Sequence, residues 1–489
     1  MSDAAAHNDR GNELLTNGDV AGAIDAYRAA LAIAPEHAEI HFNLANALAQ
    51  SGERLAALAS YNRALEIDPT HAGAHNNLGN LFRKLHRPKA ALECYRRALH
   101  LRPKDTLTRY NLGTALLDLH RADEALIWFE QAARSEAPHF YQVASIGEAL
   151  LRLGRPEQAL QSFRDALRLR PGDVQAQLGE ALSLLTLGHF REGWESFEVR
   201  LEDPRVRNGL PVVSGAQWRG HEDLRGHTMF VYAEQGTGDT IQFARYLPLL
   251  RARGARVVLQ AQTPLVALLR PLADSVISRD EALPEFDFQC PLMSLPLAFG
   301  TDLSTIPADI PYIFADPVRV THWHERLGPR RRHRIGIVFS GNPDHVSDVQ
   351  RSIPAADFFP LLRCRGVDFH VLQTEIRDAD AAVLAGYPNV HRHAEALHDF
   401  NDTAALIALM DLVISVDTSV AHLAGAMGKP VWILLQYNND FRWLQERDDT
   451  PWYPTARLFR QPAMWQWRPV IDAVAAAWQH RARTLPWPR

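Results

Sequence analysis

Cysteine is scarce. Cys94, Cys290 and Cys364 are the only three among 489 residues, far apart and without a CxxC pair. An odd, scattered set excludes a disulfide framework or a cysteine-held zinc knot and points to a reducing cytoplasm. No apolar run approaches the roughly 18 residues needed to cross a bilayer. The opening MSDAAAHNDR also lacks the cationic start and apolar stretch of a secretory signal, so no membrane insertion is expected. An excess of charge of one sign is missing too: 52 Lys+Arg against 57 Asp+Glu leave a net −5, which gives no electrostatic reason to expect nucleic acid. GxSxG, a P-loop and GxGxxG with its acidic partner are all absent, which removes the usual hydrolase, kinase and dehydrogenase signatures. Hydrophobic residues at 46% and charged residues at 22% remain ordinary for a globular protein, and the length leaves room for two or three domains.

What is present first is a period. Prolines stand at 35, 69, 103 and 171. A small-aromatic-small signature repeats every 34 residues through Ala23/Tyr27/Ala30, Ala57/Tyr61/Ala64, Ala91/Tyr95/Ala98, Ala125/Phe129/Ala132 and Ala159/Phe163/Ala166. Alanines admit close helix approach, the aromatic fills the gap, and proline ends the second helix. This is the tetratricopeptide pattern, five regular units starting near Gly11, Asn43, Asn77, Asn111 and Ser145 and a degenerate sixth at Gln177 to Arg200. Asn43, Asn77 and Asn111 recur on the first helices, with Asn46 and Asn80 one turn further on and Thr114 completing the row. Two readings stand: a carboxamide ladder that lines a concave groove and grips a polypeptide backbone, or a solvated polar row.

Near residue 200 the pattern changes. TMFVY (228 to 232) reads as a strand, EQGTGD as a turn, TIQFARYLPLLRARG as a helix and RVVLQA (256 to 261) as the next strand. A second block follows the basic linker after Pro329, with strands RIGIVFS (334 to 340), FHVLQ (369 to 373), LVISV (412 to 416) and VWILL (431 to 435). The fold class expected is an α-solenoid, a tetratricopeptide superhelix, followed by an α/β body of two Rossmann-like lobes. The domains expected are 1–200 for the repeats, 201–328 for the first lobe and 329–489 for the second.

Chemistry concentrates in DLVISVDTSVAHLAGAMGKPVWILL, Asp411 to Leu435. Thr418 and Ser419 open a helix at the carboxyl edge of the sheet, where unpaired N–H groups and the helix dipole favour an anion such as a diphosphate. Asp417 precedes them and His422 follows one turn on; the plainer reading is a capped helix with a histidine in a polar niche. Arg351 could clamp a phosphate or form a surface ion pair. Ser340, Gly341, Asn342 and Gln373 occupy strand ends from which a nucleotide or sugar is reachable. The DxD of Asp378 and Asp380 falls in a helix and reads as a solvated face. The HxH pairs His322/His324 and His391/His393 have no convincing third ligand, so no metal is expected.

Asp417-Thr418-Ser419, Ala421-His422-Leu423 and Gly428-Lys429-Pro430 resemble the nucleotide-sugar segment of GT-B glycosyltransferases, particularly the bacterial heptosyltransferases. Gly236-Thr237-Gly238-Asp239 resembles their first-lobe turn, and the segment from Arg334 to Pro354 resembles the second-lobe opening of O-linked N-acetylglucosamine transferases, which also carry tetratricopeptide repeats. The resemblance is therefore to bacterial tetratricopeptide glycosyltransferase-like proteins. It implies a GT-B body, Asp239 as catalytic base, and a nucleotide-sugar donor bound by Gly236, Gly238, Ser340, Gly341, Asn342, Arg351, Gln373, Asp417, Thr418, Ser419 and His422. No further cofactor is implied. A polypeptide acceptor or partner is implied for the groove of Asn43, Asn46, Asn77, Asn80 and Asn111. Read without the resemblance, Asp239 is a helix cap. Two departures stand: the histidine-threonine-threonine run of the protein-modifying transferases is Asp417-Thr418-Ser419 here, and their catalytic histidine has no counterpart. A non-catalytic adaptor, or a transferase acting on a cell-surface glycan precursor, are the alternatives.

Overall fold

The computed structural model describes residues 2–134, 138–344 and 348–483. The chain divides into two compact units, Met1–Gly172 and Asp173–Arg489.

The first unit consists of five helix hairpins: α1 (Ser2–Thr16) with α2 (Val20–Ile33), α3 (Ala38–Ser51) with α4 (Arg54–Ile67), α5 (Ala72–Lys84) with α6 (Pro88–Leu101), α7 (Thr106–Asp118) with α8 (Ala122–Ala133), and α9 (Phe140–Arg152) with α10 (Pro156–Leu169). From the second hairpin on, each opens about one turn before the expected starts, because capping residues set the entry: the His71 ring accepts from Ala74 N and the Asp105 carboxylate from Leu107 N. In four of the five hairpins the repeated aromatic packs on a glycine of the preceding helix, and Ala45 takes that place before Tyr61. A Cβ on Gly79 would stand 2.5 Å from the Tyr95 ring, and one on Gly113 2.6 Å from Phe129. The turns are closed by a repeated contact, with His41, His75 and Arg109 bound to the carbonyls of Pro35, Pro69 and Pro103.

The second unit begins with α11 (Val174–Thr186) and α12 (Phe190–Phe197). The degenerate sixth pair thus groups with the α/β body rather than ending at residue 200 with the regular repeats. Its aromatics explain why: Trp194 meets Phe243 and Phe441 edge-on at 6.0 and 5.6 Å, and Phe190 lies 6.0 Å from Trp452.

Two all-parallel sheets follow. The first holds β1 (Ala216–Gln217), β2 (Thr228–Tyr232), β3 (Arg256–Ala261), β4 (Ser275–Ser278) and β5 (Phe288–Pro291) in the order β1-β5-β2-β3-β4. The second holds β6 (His333–Val338), β7 (Val367–Val371), β8 (Val390–Arg392), β9 (Leu412–Val416), β10 (Val431–Leu435) and β11 (Ala456–Arg460) in the order β11-β10-β9-β6-β7-β8. The central strands β6, β9 and β10 are buried throughout, and apart from His333, Arg334 and Ser415 they are apolar, as expected of parallel strands covered on both faces. Strand order reverses between β6 and β9, which opens a crevice at their carboxyl ends. The helix Pro317–Leu327, ahead of the expected lobe boundary at 328, ties to the second lobe through Arg319 and Trp323, both bonded to the Asp402 carboxylate.

Candidate active site at the edges of two parallel sheets

The ends of β6 and β7 are sewn together by Gln373. Its Oε1 accepts from Phe339 N at 3.0 Å and Ser340 N at 3.4 Å, while its Nε2 donates to Ser340 Oγ and Glu375 O, both at 2.7 Å. Both residues are buried, so their side chains shape the crevice floor. Arg351 crosses this floor and donates to the Asp417 carbonyl at 3.1 Å. Its guanidinium lies 2.5 Å from where a Gly341 Cβ would be, so a side chain there would have to displace Arg351. Asn342 is exposed and accepts from Asp344 N, closing a local turn. His345 to Ser347, within the segment whose resemblance was noted, lie outside the described residues.

Asp417 directly follows β9, and Thr418 is the N-cap of the helix Ser419–Ala426. The Thr418 hydroxyl pairs with Ser415 Oγ at 3.2 Å instead of bonding the first turn, so no side chain caps this helix. Its start keeps the anion preference of an uncapped terminus. The Asp417 carboxylate accepts from Trp443 Nε1 at 2.8 Å, and burial together with the nearby Asp440 pushes its pKa up to about 6. Burial holds His422 well below its ordinary pKa, and with it the neighbouring Arg442 and Arg245 cations. The neutral ring stacks on Trp443 with centroids 5.2 Å apart and bonds Tyr453 Oη at 2.9 Å through Nδ1.

The first lobe meets this helix directly. Gly236 caps the helix Thr237–Phe243, and a Cβ on Gly238 would stand 3.0 Å from the His422 ring and 3.6 Å from Ser419 Cα. Asp239, at the third helical position, accepts from Gly236 N at 2.9 Å through one oxygen and pairs with Arg442 through the other. The helix expected to run from Thr240 onward thus begins at Thr237, because this carboxylate reaches back to the cap.

Sequence reasoning marked Trp443 only as an aromatic that stacks on a base or packs a last helix, and passed over Asp440 and Arg442 in the segment Asp440 to Trp443. It forms a 3-10 turn after β10, capped by Asp440, from which Arg442 reaches Asp239 and Trp443 reaches Asp417. The strand-end rule that singled out residues 340, 373 and 417 applies equally to the loop after β10, but it gives no sign of the Asp239 contact.

In the first unit the asparagines are largely engaged with one another. Tyr27, Tyr61 and Tyr95 donate their hydroxyls to Asn12, Asn46 and Asn80, each 15 residues earlier. Asn43 donates to Asn8, Asn77 to Asn46 and Asn111 to Asn76, so the row runs from hairpin to hairpin. Where the aromatic is phenylalanine, at 129 and 163, position 114 is threonine and 148 is glutamate. Asn46, Asn77 and Asn80 also line a cavity of about 300 Å³ with Tyr61, Gln50 and Lys84.

One lesser expectation changes. Asp380 is buried and accepts from Ala355 N at 2.7 Å, so it caps a neighbouring turn instead of lying on a solvated face. His393 bonds His370 at 3.0 Å and stacks on it, and burial lowers its pKa to about 4. Among the described residues, no group of three His, Cys, Asp or Glu is arranged to hold a metal, and no helix is long and apolar enough to cross a membrane.

Residues 396–461 match the profile of glycosyltransferase family 9 (heptosyltransferase), and tetratricopeptide profiles match 8–72, 72–105 and 145–192. Protein FlbA of Caulobacter vibrioides is 29% identical over 328 residues, covering 62% of this chain and 54% of FlbA, so the chain spans about half the length of that relative. Among solved structures, MamA is 26% identical over 35% of this chain and 94% of its own, with a TM-score of 0.32. PilF of Pseudomonas aeruginosa is 21% identical over 43% of this chain and 94% of its own, with a TM-score of 0.38. The chain thus joins tetratricopeptide repeats to a glycosyltransferase-like body of parallel sheets, whose second lobe carries the family 9 match.

Proposed function

We propose that the protein transfers a sugar from a nucleotide-sugar donor to a hydroxyl on a polypeptide recruited by its repeats. The observation that carries this reading is the family 9 match, which spans β9, the helix Ser419–Ala426, β10 and β11. In this reading the donor diphosphate lies at Thr418 and Ser419, where fixed N–H donors and Arg351 meet the charge that develops on the leaving group. Ser340, Gly341, Asn342 and Gln373 bound the side on which the nucleoside or sugar sits, with Asp417 and His422 behind the diphosphate. Gly236 and Gly238 bring the first lobe close, and Asp239 takes the proton of the acceptor hydroxyl.

A polypeptide acceptor is favoured by the repeats and by the carboxamide-lined cavity beside Tyr61, since carboxamides both donate to and accept from peptide groups. Asn43 and Asn111 extend that row on either side. A cytoplasmic setting suits the three unpaired thiols.

The test incubates purified protein with uridine, guanosine, cytidine and adenosine diphosphate sugars and candidate polypeptides and measures nucleoside diphosphate release. Absence of release from every donor sinks the transferase reading and leaves the adaptor. Asp239→Asn is expected to bind donor but turn over at least about 100-fold more slowly; unchanged turnover removes Asp239 from the base role.

A further inference from the structure

Resting on the transferase reading above, the contacts of Arg442 carry a step that reading does not contain. Both oxygens of Asp239 are occupied, one by Gly236 N and one by Arg442. With one lone pair of each oxygen so engaged, an acceptor hydroxyl must share Asp239 with a cation already bonded to it. Arg442 itself is buried, donates through Nε to Gln242, and is held through Nη1 by Asp440 at 2.7 Å. Its Nη2 is the arm that reaches Asp239. The Asp239 helix packs against the start of the Ser419–Ala426 helix, with Gly238 next to Ser419. A diphosphate at Ser419 therefore arrives beside this pair, and two anions compete for one guanidinium.

We propose that Arg442 is an exchangeable cation: it holds Asp239 in the empty site, transfers its Nη2 arm to the donor diphosphate, and thereby frees Asp239 as base only once donor is bound. The reaction then runs in a fixed order. With donor in place, the acceptor oxygen bonds to the anomeric carbon and the bond from that carbon to the diphosphate oxygen breaks. Its electron pair stays on the diphosphate, beside Arg442, and the hydroxyl proton passes to the released Asp239. Donor binds before acceptor, and donor-free enzyme is protected from spurious proton abstraction.

The competition predicts a change of opposite sign in two neighbouring variants. Binding of uridine, adenosine, guanosine and cytidine diphosphates is measured by calorimetry on the full chain, using whichever binds the wild type. Asp239→Asn removes the rival anion, and the diphosphate should bind about threefold to tenfold more tightly. Arg442→Gln should weaken it about tenfold or more. In the Arg442→Gln background, Asp239→Asn should have no effect, because the two changes act through one contact. Equal tightening by Asp239→Asn with and without Arg442 would show simple removal of a negative charge and overturns the exchange. So does an unchanged affinity in Asp239→Asn. Should Arg442→Gln fail to fold, as judged by circular dichroism, Arg442→Lys takes its place in the cycle. If no nucleoside diphosphate binds the wild type, the transferase reading itself fails and the exchange with it.

Discussion

Replacing Asp417 by asparagine should stabilise the second unit, and only above acidic pH. The carboxyl is harder to ionise in the fold than in an unfolded chain: its pKa rises from 3.8 to about 6, driven by burial and by Asp440. Between those values the native state holds a proton that the unfolded chain has released. Stability contributed by this proton is therefore present below about pH 4 and is lost as pH rises through about 6. A shift of about two units at about 1.4 kcal/mol each sets a ceiling near 3 kcal/mol. The side chain is 23% exposed, and solvent screening brings the expected cost to about 2 kcal/mol. Asparagine keeps an acceptor for Trp443 Nε1 and never ionises. Urea unfolding followed by tryptophan fluorescence should show the two proteins nearly equal at about pH 4. By about pH 7.5 the variant should lead by about 2 kcal/mol. A lead independent of pH, or a wild type that gains on the variant as pH rises, would falsify the argument. If the prediction holds, Asp417 is retained against its own stability cost, as expected of a group kept for ligand binding.

Further consequences can be measured in the repeats and the second sheet. Phe129→Tyr should destabilise the first unit by about 1 kcal/mol, because the new hydroxyl lacks an asparagine partner. Adding Thr114→Asn should recover most of that loss in thermal unfolding, and a failure to recover would deny the hydroxyl-carboxamide pairing. Gly79→Ala should cost about 1 to 3 kcal/mol, since the Tyr95 ring must move; a neutral result in the same melt would show that the ring gives way freely. His393, whose folded pKa of about 4 lies below the ordinary 6.5, makes the protein lose stability as pH falls through that interval, because the unfolded chain takes up the proton first. His393→Gln should flatten this acid limb, and an unaltered limb would assign it to other groups.

The architecture was legible because its main signals are local. A 34-residue register with an aromatic between alanines can arise from few folds, and strands buried on both faces, such as 228–232, 412–416 and 431–435, are predominantly apolar runs. The edge strands β1, β4 and β8 escaped notice because they are short and partly exposed, so nothing in their composition distinguishes them from loops. The helix starting at Thr418 and Ser419 followed from a strand-end rule. Arg442 did not, because its role depends on a first-lobe helix some 200 residues earlier coming to rest against it. The asparagines show the same limit: their spacing is visible in the chain, but a partner 15 residues on, across a hairpin, is visible only once the hairpin closes.

The tyrosine-asparagine contacts also constrain how such an array can grow and shrink. Within the first three hairpins, excising 34 residues at any point leaves every tyrosine facing an asparagine, since Asn12, Asn46 and Asn80 are interchangeable with respect to Tyr27, Tyr61 and Tyr95. An excision that begins between Asn80 and Tyr95 instead joins Asn80 to Phe129 and strands the carboxamide. The ladder thus acts as a grammar of duplication: among the first three units any frame preserves the pairs, whereas a junction from the third unit into the fourth must fall outside the span from Asn80 to Tyr95.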